Sequence, residues 1–472
     1  MNKKYESYST VAKGMDFHQR FYQSLQNFHK VNGGSINLIE VKANYNDNPM
    51  DERVPMELLV KKDKKFSRHI KIVYIDGLRA ETGSAVNRLA GFCGIEETLI
   101  AGGMRIGLKS LPSYPNEKGE RVPRFVATTG SMVYPKYKNT ATGREAHKFH
   151  EVGAVILVRL ETGESEFTHV KAKKDGSFSY YGTTYHPDGR ITQEKNISSV
   201  LGDLHPISVD KKALNASLAI LADLKVEDVF LNDADDFRNN QSHHIKDLNN
   251  TKAKLFLEGK LELKKEQSVN YDVIKKIQDT VKGKTYVNKS NHDEHRDHAI
   301  ERGDYITDPT SYEPLHIQAL LKLYGADTFQ SSLVAEEAVR QALKQIAKNL
   351  QNHDYNSEVK VKLDQGLTRT VFLDRTSLMA VNGKMITSKH GDDGVGGARG
   401  STKTFAGLGM AGVYGHGHFE EWYNGIIRVA TLSKTNMDYN EGQPTNWSHS
   451  IVLVYEDGIG QIVRIRNGKI IF

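Results

Sequence analysis

Short apolar runs separated by Gly and polar turns dominate the chain as far as about residue 192. Phe17–Val31 carries apolar residues at helical spacing and leads into the apolar run Ile36–Ala43. Further strand-like runs follow at Ile70–Ile75, Glu97–Gly103, Arg124–Gly130 and Gly153–Leu160. Helix and strand signals alternating in this way predict an α/β domain. Ser110–Arg121 is rich in Pro, Gly and charge and reads as a loop. Gly176–Lys195 is rich in Gly, Tyr and Thr, with Pro187-Asp188-Gly189 as a turn signal, and marks a domain boundary. Residues 1–192 are therefore expected to form an α/β accessory domain for DNA binding or oligomerisation, and residues 193–472 a second domain.

The second part opens with a strand at Ile197–Asp203, a helix at Lys211–Leu224 and a strand at Val226–Asn232. That β-α-β order predicts a parallel pair. Helices are expected between His243 and Leu350, with Glu336–Leu350 the clearest amphipathic segment. Strands are expected at Val359–Leu363, Lys384–His390 and Gly412–His418. A closing hairpin pairs Ser450–Asp457 with Gln461–Phe472 around Gly458–Gly460. Ser35–Asp47 faintly echoes Val226–Asp236, each an apolar strand followed by a polar cluster. Only the second half carries the ligand set described below, so the echo reads as coincidence and not as duplication.

At 472 residues the chain exceeds one ordinary core, which agrees with two domains. Hydrophobic residues make up 38% and charged residues 26%, the balance of a globular protein. No apolar run approaches the roughly 18 residues of a membrane span. The opening MNKKYESYST lacks the apolar segment of a secretory signal. Cys93 is the single cysteine, so no internal disulfide is possible, and a cytoplasmic location is expected. Cys-rich zinc sites are excluded, and any metal must be held by His, Asp, Glu or Asn. A net charge of +6 permits an acidic partner such as nucleic acid without demanding one.

Five motifs of the second part carry the chemistry. In order they are Gly202-Asp203-Leu204-His205, Asn232-Asp233-Ala234-Asp235-Asp236, Ser290-Asn291-His292-Asp293, Lys389-His390-Gly391 and Gly415-His416-Gly417-His418. Most lie at or just after a predicted strand end, and in an α/β sheet the carboxyl ends of strands converge on one crevice. Carboxylate, imidazole and amide oxygen suit Mn, Fe or Zn. Asp203 and His205 fall on one side of an extended chain, as do His416 and His418. With Asp233 as a bridge, two ions about 4 Å apart can clamp a phosphoryl group and lower the pKa of a water. The acidic Asn232–Asp236 stretch fails the spacing of a calcium loop. Gly407–Gly412 fits G-x-G-x-x-G but precedes a strand, so a dinucleotide site is rejected. His243 and His244 could line a substrate groove or begin a solvated helix. His147 and His150 read as surface residues.

In order and spacing, these motifs resemble the calcineurin-like metallophosphoesterases, whose signature runs D-x-H, G-D-x-x-D, G-N-H-D/E, H and G-H-x-H. Asn232 and Ser290 stand where that signature has glycine, and every ligand type is kept. The resemblance covers residues 196 to 472 and implies a fold of β-sheets flanked by helices. It also implies that one ion takes Asp203, His205, Asp233 and His418, and the other Asp233, Asn291, His390 and His416. His292 would protonate the leaving oxygen, and Asp236 would hold His292 or the bridging water. Protein phosphatases of this superfamily carry Arg directly after the second Asp of the second motif. Here Phe237 holds that place and Arg238 follows, which argues against that activity.

The Gly-rich stretch His390–Phe405 lets backbone amides approach phosphate, and Arg399 and Lys403, with Arg238, offer pairing charge. This stretch, Asn446–Gly458 and Ala127–Ile156 are similar to phage members of the superfamily, the early DNA-transfer nucleases of T-five-type coliphages. That resemblance implies a Mn-dependent, oligomeric DNA nuclease with a catalytic domain like that of SbcD-type repair exonucleases, degrading host DNA in the host cytoplasm. Two other readings stay open. One is a small-molecule phosphodiesterase or nucleotidase, and the other a DNA-binding or assembly protein with a secondary metal site.

Overall fold

The computed structural model describes residues 3–43, 49–82, 85–115, 121–237, 263–303, 306, 318–319, 336–352, 366–437, 440 and 442–472. The chain begins with β1 (Lys3–Ala12), α1 (Gln19–Asn32), β2 (Ser35–Val41), β3 (Leu59–Val60), β4 (Lys64–Lys65) and β5 (Ile70–Val73). Then come α2 (Ala85–Leu89), β6 (Thr98–Ala101), β7 (Gly103–Leu111), β8 (Arg124–Gly130), α3 (Ala141–Lys148), β9 (Gly153–Leu160) and β10 (Ser165–Lys171). A small sheet of β11 (Phe178–Tyr180), β12 (Thr183–Tyr185) and β13 (Ile191–Gln193) follows.

The second half runs β14 (Ser198–Leu201), α4 (Lys211–Asp223), β15 (Asp228–Leu231), α5 (Leu263–Thr280), β16 (Thr285–Asn288), α6 (Asn291–Arg302) and α7 (Glu336–Gln351). It continues with β17 (Thr370–Leu373), β18 (Ala380–Val381), β19 (Met385–Ile386), α8 (Thr402–Phe405), β20 (Ala411–Tyr414), β21 (Glu421–Tyr423) and β22 (Ile426–Arg428). The hairpin of β23 (His449–Val454) and β24 (Gly460–Ile465) closes the chain. The strand expected at Val359–Leu363 lies outside the described residues.

Strand order reveals a repeated plan. One sheet runs β10-β9-β1-β2-β3 and another β24-β23-β14-β15-β16-β17. In both, the strand before the first crossover helix pairs parallel with the strand after it and antiparallel with a late hairpin. A third sheet of ten strands runs β18-β19-β20-β22-β21-β7-β8-β6-β5-β4. Read inward from its two ends, the order and pairing senses match strand for strand, and the halves join where β21 pairs antiparallel with β7. The echo between Ser35–Asp47 and Val226–Asp236 therefore falls on equivalent strands, β2 and β15. Two α/β units of one topology make the chain, and duplication explains the echo better than coincidence does.

Packing follows the strand period of two. In β9, Val155 and Leu157 enter the core between the sheets, while Ala154, Ile156 and Val158 face the helix layer. In β23, Val452 and Val454 point inward, and Ile451 and Leu453 outward. Both faces are buried, which is why these strands read as continuous apolar runs. Helix α1 buries Phe21, Leu25 and Phe28 along one stripe and ends at Gly33, whose φ of 77° no β-branched residue would tolerate. Helix α4 starts at Asp210, whose carboxylate accepts the N–H groups of Lys212 and Ala213.

Strand pairing and core both cross residue 192. The inter-sheet core mixes Tyr8, Ile100 and Leu157 with Val200, Phe230 and Val452. Within the proposed boundary stretch, Tyr181 N–H donates to Gln461 Oε1 at 2.9 Å and Phe178 packs on Phe28. Buried charges also pin the halves, since Arg464 pairs with Glu166 at 3.6 Å and with Glu420. His150, expected at the surface, is half-buried instead, bonding Ser131 Oγ through Nε2 and Tyr137 through Nδ1, each at 2.7 Å. His147 is exposed on α3.

Candidate metal centre

Five strand ends supply the five motifs. Asp203 and His205 follow β14, and Asp233 and Asp236 follow β15. Asn291 and His292 form the first turn of α6 after β16, His390 follows β19, and His416 and His418 follow β20. Parallel pairing of β14, β15 and β16, and of β19 with β20, sends these ends the same way within each sheet.

His205 Nε2 lies 3.2 Å from Asp233 Oδ2 and 3.0 Å from His418 Nε2. His418 Nε2 is in turn 3.3 Å from Asp203 Oδ2. On the other oxygen of Asp233, His390 Nε2 approaches to 3.3 Å. His416 is half-buried, with its ring 5.2 Å from that of His390. Asp236 Oδ1 meets the Nδ1 atoms of both His205, at 3.1 Å, and His292, at 3.3 Å. A hydrogen bond at Nδ1 leaves His205 Nε2 to face the cluster with its lone pair.

Many donor atoms of the cluster have no hydrogen-bond partner. Both carboxylate oxygens of Asp203 and of Asp233, the Asn291 side-chain oxygen, both ring nitrogens of His390 and Nδ1 of His418 are buried without a hydrogen bond. Buried polar atoms are normally satisfied, and such a concentration is one that could hold a cation. Asp233 belongs to both groups able to hold one, with His205 and His292 and with Asp203 and His418. Burial, with Asp233 alongside, lifts Asp203 well above the carboxylate range, and His205 and the His416 amide offset only part of this. Burial also opposes ionisation of Asp233, but His390 and His205 outweigh it and hold that carboxyl well below its usual range. His390 is pushed down to about 4 by burial. Protons cannot satisfy all these groups at once, and divalent cations can. The mixed oxygen and nitrogen donors fit Mn, Fe or Zn.

Backbone strain gathers here too. His205, Asp233, His416 and His418 have φ of 42°, 48°, 66° and 59°, the left-handed region that costs a non-glycine residue energy. Left-handed geometry thus sits at Asp233, next to Asn232. Asn232 ties strand ends, donating to Leu201 O and accepting from Asn288. Ser290 caps α6 in a capping box with Asp293.

Arg399 is exposed, and its charge acts on His416. Lys403 is exposed on α8. Arg238, His243 and His244 lie outside the described residues. Motif reading overlooked the arginines around the centre. Arg428 is buried, donates to Gly400 O at 3.4 Å, and occupies the space that a β-carbon on Gly417 would need. Arg296 and Arg375 anchor α6. Trp447, 4.2 Å from the His418 ring, was also overlooked. An ionic residue on a helix carries no signal of its own until its partner is placed in space.

The first half shows the same topology with other residues at the equivalent positions. Thr10 bridges Ser131 as Asp203 bridges Thr431. A β-carbon on Gly102 would lie 3.1 Å from Thr10 Oγ1, and one on Gly415 2.2 Å from Asp203 Oδ1. Asp203 thus corresponds to Thr10, His205 to Ala12, and His416 and His418 to Gly103 and Arg105. Thr10 pairs with Ile39 where Asp203 has Asp233 beside it. Its hydroxyl is satisfied by Thr129 at 2.6 Å and by the Gly103 amide. Among the described residues, both candidate cation groups lie in the second half.

No family model and no solved structure matches the chain. It is similar to Protein A1 of Escherichia phage T5, at 24% identity over 477 residues, covering 96% of this chain and 80% of that protein. Among the described residues no helix is long and apolar enough to cross a membrane.

Proposed function

We propose that the chain is a calcineurin-like, two-metal phosphoesterase that hydrolyses phosphodiester bonds of DNA. One observation carries the reading. Asp203, His205, Asp233, His390 and His418 come from four strand ends and bring buried donor atoms together, most of which no protein group satisfies. Two divalent ions, Mn before Fe or Zn, would polarise the phosphoryl oxygens and lower the pKa of a water. Asp203, His205, Asp233 and His418 are assigned to one ion, and Asp233, Asn291, His390 and His416 to the other. Asp236 fixes the rings of His205 and His292 through one oxygen, and His292 then delivers a proton to the leaving oxygen.

The polymer is held in this reading by Arg399, beside His416, and by Lys403. Likeness to a phage protein supports a phage origin, and the host DNA of an infected cell is the substrate proposed with it. The test is hydrolysis by the Mn-loaded protein of DNA, a cyclic nucleotide and a nitrophenyl monoester. Cleavage of DNA, lost together with both ions in Asp233→Ala, is expected. DNA binding without cleavage of any substrate would refute catalysis and leave a binding role.

A second reading, a small-molecule phosphodiesterase or nucleotidase, is favoured by a cavity of about 350 Å³ beside the centre. His390, Arg375, Phe405 and Tyr414 are among the residues that line it. Faster turnover of the cyclic nucleotide or the monoester than of DNA would select it.

A further inference from the structure

Helix α6 carries two groups of the centre, Asn291 and His292, on its first turn. Among the described residues, apolar packing on α6 comes at its far end. The buried residues of α6 are Asp293, Arg296, Ala299 and Ile300, and of these Ala299 and Ile300 share an apolar cluster with Phe237 and Leu263. Ionic groups anchor the near end. Arg296, one turn after His292 and on the same face, has a fully buried side chain, and its guanidinium donates to Asp235 Oδ2 at 2.7 Å. Asp235 also accepts from Asn270 of α5 at 2.9 Å. It lies between Asp233 and Asp236, on a loop whose left-handed residues Asp233 and Phe237 need outside support. On the other side Arg375 grips Glu294 of α6 at 2.8 and 2.9 Å and Asp392 at 2.7 Å, two residues beyond His390.

We infer that Arg296 and Arg375 are positioning residues, a pair of ionic clamps that set His292 and Asn291 against the loops bearing Asp233, Asp236 and His390. Arg296 fixes α6 to the Asp233–Asp236 loop, and Arg375 fixes it to the His390 loop. A planar guanidinium suits both tasks, because its forked donors fix orientation as well as distance. Burial makes the Arg296–Asp235 pair a poor source of net stability, so its place is better explained by the geometry it imposes. The inference rests on the phosphodiesterase reading for its catalytic consequence, and not for its structural one.

Two readouts test it on the full-length protein. Hydrogen exchange of the metal-free protein should accelerate at least about tenfold over residues 290–297 in Arg296→Met, with β14 and β15 unchanged. In the Mn-loaded protein, the rate on a diester with an alkyl leaving group should fall about 10–10²-fold with KM little altered, within the range of a misplaced general acid. Arg296→Lys should recover part of the loss. Adding Arg296→Met to His292→Ala should cost less than the product of the two single losses, because the two share the proton transfer by His292. Should Arg296→Met fail to fold, Arg375→Met, at a partly exposed clamp, is read in the same way. Losses that multiply in the double variant, or exchange that rises evenly through the protein, would overturn the inference. Wild-type protein that hydrolyses no diester would instead sink the phosphodiesterase reading, with the exchange data still deciding whether the arginines hold α6.

Discussion

Replacing Asp203 by Asn should make the metal-free protein more stable while weakening its response to metal. The carboxylate is fully buried, and neither oxygen has a hydrogen bond. Its pKa is lifted by burial and by Asp233, so the folded state keeps a proton that the unfolded chain gives up above about pH 4. The folded state then binds more protons, and its stability falls as pH rises from there. Asn keeps the shape and cannot ionise, so the gain should be small at pH 4 and grow as pH rises. An unsatisfied buried group costs about 1–3 kcal/mol. At about 2.1 cal/mol/K per residue, unfolding 472 residues has an entropy near 1 kcal/mol/K, so the gain is about 1–3 °C in Tm. Mn at about 100 times Kd adds about 2.7 kcal/mol per site, or about 5 °C in wild type for two sites. Losing one site should cut that shift to about 3 °C or less. Calorimetry with chelator and with Mn, at pH 4 and pH 7.5, reads all of this. A lower Tm for the metal-free variant, or a full Mn shift, would show that Asp203 is a structural carboxylate and not a strained ligand.

His292→Ala should retain both ions by elemental analysis and slow an alkyl diester by about 10²–10⁴-fold, with a smaller loss on a nitrophenyl diester; equal losses would point to phosphate positioning instead of acid catalysis. Arg399→Ala with Lys403→Ala should reduce the salt slope of DNA binding by about one to two units, measured by fluorescence anisotropy, while small-diester turnover is kept. His169 is buried with its Nε2 donating to Thr128 O at 2.9 Å, and burial pushes it down to about 3. The unfolded chain therefore takes up a proton as pH falls from about 6.5 while the folded protein does not, and about 2 kcal/mol of stability should be lost by pH 5. Urea unfolding should show less acid sensitivity in His169→Gln, and an unchanged pH dependence would contradict the burial argument.

Local pattern reached far in the second half. Helix α4 and the β23–β24 hairpin follow from apolar period, a cap and a Gly turn, all short-range signals. The motifs that meet at the candidate centre were legible because a pair such as Asp203 and His205 is itself local, and because each such motif stands at a strand end. Strand β1 was not legible. It lies at the centre of its sheet, yet Glu6, Ser7, Ser9 and Thr10 are buried, and Ser9 and Thr10 find partners only across the fold, on Gly153 O and Thr129 Oγ1. A buried but satisfied polar residue looks like surface when the partner is 144 residues away. The twofold plan was hidden for the same reason, because strand order records long-range pairing, and the first half carries Thr10, Ala12 and Ile39 at the equivalent positions. Asn232 and Ser290 looked like departures from a turn motif until tertiary contacts gave them other work, one tying strand ends and the other capping α6. The ionic clamps around His292 could be seen only in three dimensions. Arg296 and Asp235 are ordinary charges on separate elements, and burying them together turned two surface-type residues into part of the site's frame.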